Sequence, residues 1–518
     1  MSHSKKTNRL LGLACVLAVV SGAAVGVMQH EERKEQIRSS DKIVLQIPPE
    51  SVTALSWSHG STSLSFHKDG SWFYDGDEAF PVDEDLIMER LAYFENLGVA
   101  FEIEDVEDIG QYGLDDPVCT IQITTAGPED SVPEGTEAPA EADAETGETT
   151  VTEQGTAPSA APAEPSEPAQ GSTRQILVGD YSRMDGKRYL SIGDGKVYLV
   201  SEDPLLLFSA ELREMIDHDE DLSYTSISEI RFSGQENGTI VYEENAEAAR
   251  CSEDVYFTEQ DGKTAALSTD RVIQYLNQLT TLNPIDYVTY KAGQEDLLQY
   301  GLDAPELTVS VDYTETEGDT TVSDTFVLEI GRNQAEVAAE QAEVEKDPAY
   351  TPREIPAYIR IGGSQIIYEI SQDRYEALMA ASFNDLRHQE VFAADFEDVT
   401  QIDIRLDGNA YSLTAAPSEE EEEPAVWSFH EEEISITGLE NSLEALTAAQ
   451  FTEETPNGQE EISLTLHLED PNHPELEITL YRYDGSDCLA EVDGESFALI
   501  PRSEAVDLIE SIRSIVLN

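Results

Sequence analysis

The chain has 518 residues, enough for about two to four domains that each bury a core. Its 106 Asp and Glu residues against 30 Lys and Arg residues give a formal net charge of −76, which disfavours binding to nucleic acid and to anionic lipid headgroups. The hydrophobic share of 40% is ordinary for a folded protein and excludes disorder of the whole chain. The simplest interpretation of the acidity is a solvated surface; a cation-rich environment and a basic partner are the alternatives.

The N-terminus carries the strongest local signal. Residues 1–9 form a basic leader, and residues 10–28 form an uncharged apolar run. As a helix this run would be roughly 28 Å long, close to the hydrocarbon thickness of a bilayer. The pattern predicts a cytoplasmic leader, a transmembrane anchor over 10–28 and a single-pass protein of the cell membrane with its C-terminal body outside the cytoplasm. A cleaved signal peptide is the alternative, because residues 21–23 are small; both interpretations export the body.

One unit of sequence then recurs three times. Alternating apolar and polar residues, typical of a half-buried strand, open the copies at Val52, Ile227 and Val399. An aromatic strand, an amphipathic helix, a hairpin and a closing helix follow in the same order. We therefore predict three units, namely repeat 1 over 43–220, repeat 2 over 221–392 and a degenerate repeat 3 over 393–518.

The predicted fold class is α+β, with tandem repeated units of mainly antiparallel sheet, helices on one face, and one N-terminal transmembrane helix. The first helix of each unit is expected to begin at an N-cap, which is Asp83 in repeat 1, Ser268 or Thr269 in repeat 2, and Thr437 in repeat 3.

Acidic insertions interrupt the repeats. Residues 126–172 contain no Lys, Arg or aromatic residue and are rich in Pro, Glu, Ala and Thr, so we predict a disordered segment. Residues 335–352 and 417–424 are smaller acidic insertions, and we expect them to be loops between strands.

The sharpest motif is Tyr-Gly-Leu-Asp-x-Pro, which occurs at 112–117 and again at 300–305. Each copy follows a short helical stretch, so the glycine is expected to end that helix in the left-handed conformation. The next leucine then contacts the residue five positions earlier, and the proline stops the helix from resuming. We interpret the motif as structural, and its residues are Tyr112, Gly113, Leu114, Asp115, Pro117, Tyr300, Gly301, Leu302, Asp303 and Pro305.

Three features occur together in the chain: the hexapeptide, strand ends at Gly179 and Gly331, and acidic-Leu-Arg sequences that end at Arg213 and Arg387. Through these features, most of residues 43–400 resemble the bacterial domain of unknown function numbered 4340. The resemblance implies an N-terminal membrane segment, an extracytoplasmic body and, for some members, transporter-like gene neighbourhoods related to gliding machinery. It implies no catalytic residue. The long acidic insertions and a third unit without the hexapeptide depart from the family pattern.

We expect no catalytic, cofactor-binding or metal-binding residues. The four cysteines are scattered and form no CxxC pair, the nine histidines lack HExxH or HxH spacing, and no glycine-rich phosphate loop follows a strand. Three of the cysteines (Cys119, Cys251 and Cys488) are expected to be small buried apolar residues.

The predicted function is a non-enzymatic, membrane-anchored extracytoplasmic scaffold or interaction protein of the bacterial envelope, accessory to a transporter-like complex. Its expected partners are the membrane, through the N-terminal helix, and an envelope protein; no nucleic acid and no cofactor are expected, and the ligand is left open. The alternatives are an exported enzyme that acts on envelope polymers and a polyanionic spacer.

Overall fold

The computed structural model describes residues 42–126, 172–318, 320–347, 349–417 and 425–517. They belong to two compact units that divide between His218 and Asp219. The first unit contains one nine-stranded sheet, and the second contains two more.

The sheet of the first unit has the strand order β1-β5-β9-β8-β7-β6-β2-β3-β4, and its neighbouring strands are antiparallel. Its strands are β1 (Lys42–Leu45), β2 (Val52–His59), β3 (Thr62–Asp69), β4 (Ser71–Tyr74), β5 (Leu97–Ile103), β6 (Cys119–Thr125), β7 (Ser172–Ser182), β8 (Lys187–Ser191) and β9 (Val197–Val200).

The first sheet of the second unit has the order β13-β12-β11-β10-β15-β16-β17-β18-β14, again antiparallel. Its strands are β10 (Ser226–Gly234), β11 (Gly238–Tyr242), β12 (Tyr256–Gln260), β13 (Lys263–Ala266), β14 (Asp286–Thr289), β15 (Leu307–Glu317), β16 (Thr320–Arg332), β17 (Ala357–Ile361) and β18 (Ile367–Ile370).

The other sheet of this unit has the order β22-β21-β20-β19-β24-β25-β26-β27-β23, with the same antiparallel pairing. Its strands are β19 (Val399–Leu406), β20 (Asn409–Ala416), β21 (Val426–Phe429), β22 (Glu432–Glu433), β23 (Gln450–Phe451), β24 (Glu460–Leu468), β25 (Glu475–Arg482), β26 (Asp487–Val492) and β27 (Glu495–Pro501). The two sheets of the second unit therefore share one topology, and the first unit repeats it with an added edge strand, β1, and without an equivalent of β13.

The helices are short beside these sheets. They are α1 (Glu84–Ala92), α2 (Leu205–Phe208), α3 (Thr269–Leu279), α4 (Gln294–Tyr300), α5 (Gln334–Lys346), α6 (Gln372–Met379), α7 (Phe383–Leu386), α8 (Thr437–Glu444) and α9 (Arg502–Val516), with single 3-10 turns at Pro49–Ser51, Ile109–Tyr112, Leu212–Met215 and Phe396–Asp398. At α1 the predicted N-cap is present, since the Asp83 carboxylate accepts a hydrogen bond from the Leu86 N–H at 3.1 Å. The helix α3 begins after Ser268, which makes no side-chain cap bond, and α8 begins at Thr437 itself.

Alternation along the strands builds each core. The strands β2, β10 and β19 bury alternate side chains, in the pairs Leu55 and Trp57, Ile230 and Phe232, and Ile402 and Ile404. Helix side chains cover the same cores. For example, Val272, Leu276 and Leu279 of α3 are fully buried. Complete burial of such a side chain contributes roughly 1.5 to 3 kcal/mol, as an upper value.

The structure corrects the predicted fold class. Three large antiparallel sheets dominate the described residues, and few helices accompany them, so the weight given to helices was wrong. The predicted transmembrane helix gains no support, because no helix in the described ranges combines the length and apolar character needed to cross a bilayer. The predicted span itself, residues 10–28, lies outside those ranges.

The insertions differ from the prediction at one place. Gln334–Lys346 forms the helix α5, where the sequence suggested a loop. The Asn333 side chain caps this helix by accepting hydrogen bonds from the Ala335 and Glu336 N–H groups. Almost all of 126–172 and of 417–424 lies outside the described residues.

Candidate functional site

Both hexapeptides end a helical turn in the way their sequence predicts. Gly113 has φ 68° and Gly301 has φ 73°, both in the left-handed region. The N–H of the following leucine donates to the carbonyl oxygen five residues earlier, from Leu114 to Ile109 at 3.2 Å and from Leu302 to Leu297 at 2.8 Å. The two leucines are buried, whereas Asp115 and Asp303 are exposed and Pro117 and Pro305 are half-buried.

The motif tyrosines pack on the sheet. The Tyr112 ring lies 4.9 Å from that of Tyr189, and the Tyr300 ring lies 4.6 Å from that of Tyr358, in each case between centroids. Since both partners come from the equivalent strands β8 and β17, the motif holds its helical turn against the same part of each sheet.

Close backbone approach explains the glycines. A Cβ on Gly301 would overlap the Arg332 carbonyl oxygen, and a Cβ on Gly179 would overlap that of Tyr112. In repeat 3, which lacks the hexapeptide, a Cβ on Gly458 would overlap the Arg482 carbonyl oxygen. Arg332 and Arg482 end the equivalent strands β16 and β25, so repeat 3 keeps the contact without the motif. The glycines of the hexapeptide therefore permit a close contact between two backbone segments.

An ion pair with a largely buried carboxylate accompanies this contact in repeats 2 and 3. The Arg332 guanidinium donates to the Glu306 carboxylate at 3.0 and 3.1 Å, and the Tyr375 hydroxyl donates to the same carboxylate at 2.8 Å. In repeat 3 the equivalent carboxylate, Glu461, accepts from Arg482 at 2.6 Å. These carboxylates are satisfied from within the fold, which makes them structural groups.

A large cleft opens in the second unit between its two sheets. It has a volume of about 1090 Å³, and residues of repeats 2 and 3 line it. We name it the inter-repeat cleft and define it by Arg250, Lys263, Arg387, His388, Glu453 and Phe497. Its full lining contains three Lys and Arg residues and six carboxylates, namely Glu236, Asp261, Glu390, Glu453, Asp493 and Glu495. The cleft is thus a region of mixed charge, in which a few basic side chains lie among acidic ones.

Arg387 is the most unusual group in the cleft. Its guanidinium lies over three aromatic rings, with Cζ 4.9 Å from the centroid of Phe383, 4.4 Å from that of Phe451 and 4.7 Å from that of Phe497. Burial, and then the nearby charge of Arg250, lower the pKa of Arg387. Within the described residues its guanidinium forms no ion pair with a carboxylate. A guanidinium that packs against aromatic rings can still donate in-plane hydrogen bonds to an anion.

Beside Arg387 lies a cluster formed by Cys251, Asp254, His388 and Glu390. Cys251 and Asp254 belong to the loop between β11 and β12, and His388 and Glu390 follow α7 on the way to β19. His388 Nε2 is 2.8 Å from the Asp254 carboxylate, and its Nδ1 is 3.6 Å from the Glu390 carboxylate. The other Asp254 oxygen accepts from the N–H groups of Arg250 at 2.9 Å and Cys251 at 3.4 Å.

Electrostatics define the protonation of this cluster. Burial alone would lower the pKa of His388, but its bonds to Asp254 and Glu390 outweigh burial and raise the pKa to about 9. The bond to His388 lowers the pKa of Glu390 to about 2. Burial, followed by the charge of Asp254, raises the pKa of Cys251 to about 12. At neutral pH the cluster therefore contains an imidazolium between two carboxylates and a protonated thiol, so it offers neither a free general base nor a thiolate nucleophile.

The same residues form a possible metal-binding set. One ligand atom each from Cys251, Asp254 and His388 lie within 4.8 Å of one another. Short sequence motifs do not reveal these three residues as a set, because His388 is 134 positions from Asp254. The only local signal is the Cys-x-x-Asp spacing, which is too common to be diagnostic. The predictions that Cys119 and Cys488 are buried are confirmed, while Cys251 is partly exposed.

No curated protein and no solved structure matches the chain. The family model described as Domain of unknown function (DUF4340) matches residues 72–305 and, in a second copy, residues 288–465. The two matches together cover well over half of the chain, include both hexapeptides and extend into repeat 3. The chain therefore belongs to the DUF4340 family.

Proposed function

We propose that this chain is an extracytoplasmic interaction protein of the bacterial envelope that binds a protein partner through a carboxylate held by Arg387 in the inter-repeat cleft. Its placement outside the cytoplasm rests on sequence alone, since the basic leader at residues 1–9 and the apolar run after it have the composition of an export signal.

The observation that carries the proposal is the unpaired guanidinium of Arg387 among the described residues. Most of the other arginines in the described residues form an ion pair with a carboxylate. Arg188, for example, is paired with both Asp203 carboxylate oxygens at 2.6 and 2.7 Å. Arg387 instead has Arg250 as its charged neighbour. Two like charges at one cleft wall repel each other, and a bound anion would relieve that repulsion.

The charge of the whole chain limits the classes of partner that can bind. A net charge of −76 repels polyanions, so nucleic acid and strongly acidic polymers are poor ligands. A partner with one carboxylate on an otherwise basic surface satisfies both Arg387 and the acidic surroundings. A component of a transporter-like complex, to which this chain would be accessory, would be one such partner.

The alternative function, an exported enzyme acting on envelope polymers, lacks a comparable observation. Its best candidate machinery is the cluster at His388, where both imidazole nitrogens already face carboxylates. Hydrolysis by general acid–base catalysis requires a group free to take up a proton at working pH.

Site-specific photocrosslinking in intact cells tests the proposal. A photoreactive residue replaces Glu453, which is exposed on the cleft, and in a separate control it replaces Met184, which is 91% exposed in the first unit. We expect position 453 to capture one envelope protein that position 184 does not capture. Mass spectrometry of the adduct identifies the partner, and capture of a transporter component would support the accessory role.

Substitutions at Arg387 complete this test. We expect Arg387→Ala to lower the yield of the adduct at least tenfold, because a charged hydrogen bond contributes about 1.5 to 3 kcal/mol. Arg387→Lys retains the charge but loses the planar fork, so we expect an intermediate yield. The matched control is Arg213→Ala, the equivalent arginine of repeat 1, which should leave the yield unchanged. Absence of an adduct at position 453, or an adduct insensitive to Arg387→Ala in a protein with unchanged circular dichroism, would refute the proposal.

A further inference from the structure

We propose that Cys251, Asp254 and His388 bind a zinc ion on the wall of the inter-repeat cleft, with the fourth coordination position open to the cleft. This inference is independent of the proposed partner and concerns different side chains from Arg387.

The chemistry of the set selects the metal. A thiolate, an imidazole and a carboxylate are three donors that zinc accepts together, whereas calcium and magnesium require oxygen donors. Zinc sites with three protein ligands keep a fourth position for water or another ligand. Because His388 lines the cleft, that fourth position would face the cleft interior.

The geometry requires little movement. The three ligand atoms already lie within 4.8 Å of one another. Donor atoms on one tetrahedral zinc ion are roughly 3.3 to 3.8 Å apart, given bond lengths of about 2.0 to 2.3 Å. Zinc binding would displace the Cys251 thiol proton and the proton between His388 Nε2 and the Asp254 carboxylate, and it would separate that pair from 2.8 Å to at least about 3.3 Å. Cys251 is only partly buried, so its side chain has room to turn.

Neighbouring groups already orient two of the ligands. The buried Asp254 carboxylate is fixed through one oxygen by the backbone N–H groups of Arg250 and Cys251, which leaves its other oxygen directed at His388. Glu390 faces Nδ1 of His388 and leaves Nε2 directed at Asp254. A carboxylate on the far nitrogen of a ligating histidine is the usual support of a zinc ligand.

The loop and the linker that supply the ligands are also connected beside the cluster. The Ser252 N–H donates to the Asp395 carboxylate at 2.7 Å, which joins the β11–β12 loop to the segment before β19. A zinc ion would thus link two distant segments of repeat 2, the β11–β12 loop and the residues after α7, beside the bond to Asp395. Metal binding would then stabilise the second unit by mass action.

Metal titration of the purified full chain tests the inference. After treatment with a chelator, we expect the chain to bind one equivalent of Zn²⁺ in competition with a chromogenic chelator, and Co²⁺ to give a thiolate charge-transfer absorption band. Cys251→Ser should abolish that band and weaken zinc binding at least tenfold. Cys119→Ser and Cys488→Ser, at two buried cysteines far from the cluster in sequence, are the matched controls and should change neither readout.

Two further variants distinguish ligands from their supports. We expect His388→Gln to abolish binding and Glu390→Gln to weaken it about 10- to 100-fold, the usual loss when a supporting carboxylate is removed. If His388→Gln fails to fold, Cys251→Ser still decides the question, because its substitution conserves size at a partly exposed position. Absence of stoichiometric zinc binding, or zinc binding unchanged in Cys251→Ser, would overturn the inference and leave the crosslinking proposal for Arg387 intact.

Discussion

Gly331 of β16 lies directly against Gly301 at the end of α4, so that a Cβ on Gly331 would overlap the carbonyl oxygen of Gly301. The same relationship exists in the first unit, between Gly179 and Tyr112. Only glycine permits two backbone segments to approach this closely. The contact attaches the helix end of the hexapeptide to a central strand, which explains why the motif and the strand-end glycine occur together in both repeats.

We expect Gly331→Ala to lower the free energy of unfolding by about 1 to 3 kcal/mol, because the added methyl group forces the two segments apart. Gly238→Ala is the matched control, since a Cβ on Gly238 meets no heavy atom within 4 Å and its φ is not in the left-handed region. Urea unfolding followed by circular dichroism measures both. Equal effects of the two substitutions would contradict the close-contact explanation.

The leucine of the hexapeptide is expected to contribute through burial. Leu302 is 2% exposed and Leu298, one turn earlier, is 65% exposed. Leu302→Ala should reduce the free energy of unfolding by about 2 to 5 kcal/mol, the usual loss when a leucine is truncated in a core. Leu298→Ala should change it by less than about 0.5 kcal/mol. A small effect at Leu302 in thermal unfolding would show that the cap does not contribute to the core.

The Glu306–Arg332 pair yields a prediction about coupling. The Glu306 side chain is 5% exposed and that of Arg332 is 21% exposed. Glu306→Leu should destabilise the fold by about 3 kcal/mol, because it leaves a partly buried guanidinium without its carboxylate. The double variant Glu306→Leu/Arg332→Met should recover part of that loss. A double-mutant cycle measures the coupling, and simple addition of the two single effects would mean that the pair is not coupled.

The Asp312–Arg231 pair predicts a pH dependence. Its bonds with Arg231, and then with Thr325, lower the pKa of Asp312 from 3.8 to about 2. Since the pKa is lower in the folded state, the pair stabilises the fold above about pH 4, and this contribution is lost as the pH falls through about 2. The two side chains are 40% and 33% exposed, so solvent screening limits the contribution to about 1 kcal/mol or less.

Unfolding of the wild-type chain and of Asp312→Asn at several pH values measures this dependence. The stability difference between them should be largest near neutral pH and should narrow in acid, as the wild-type carboxylate becomes protonated. A difference that is constant down to about pH 2 would show that the substitution acts through something other than the ionised pair.

Local signals in the sequence were sufficient for the features that depend on neighbouring residues. Alternation located the opening strands, and the hexapeptide specified a left-handed glycine and its leucine contact. The helix α5 was missed because its acidic composition was interpreted as a loop, although Ala, Glu and Gln are strong helix formers and Asn333 offers an N-cap. The equivalent of the glycine contact at Gly458 was missed because only the backbone approach survives there.

Features that depend on residues far apart in the chain could not be predicted from local sequence patterns. The strand order places β5, β14 and β23 beside strands made much later in the chain, and no local pattern encodes such pairing. For the same reason the convergence of Asp254 and His388, and the meeting of Arg387 with Phe451 and Phe497, follow only from the arrangement of repeats 2 and 3. A sequence search by spacing finds sites whose ligands are neighbours, and these are not.

The late pairing of β14 has a consequence for biosynthesis. This strand precedes β15 in the chain, yet its partner is β18, and Tyr287 aligns with Tyr368. While the polypeptide is being synthesised, β14 therefore remains unpaired, and its backbone hydrogen-bonding groups have no partner strand until β18 has been made. A truncated product ending at Arg332 would leave that strand unpaired and prone to aggregation, and each repeat is expected to fold slowly and only when its last hairpin is complete.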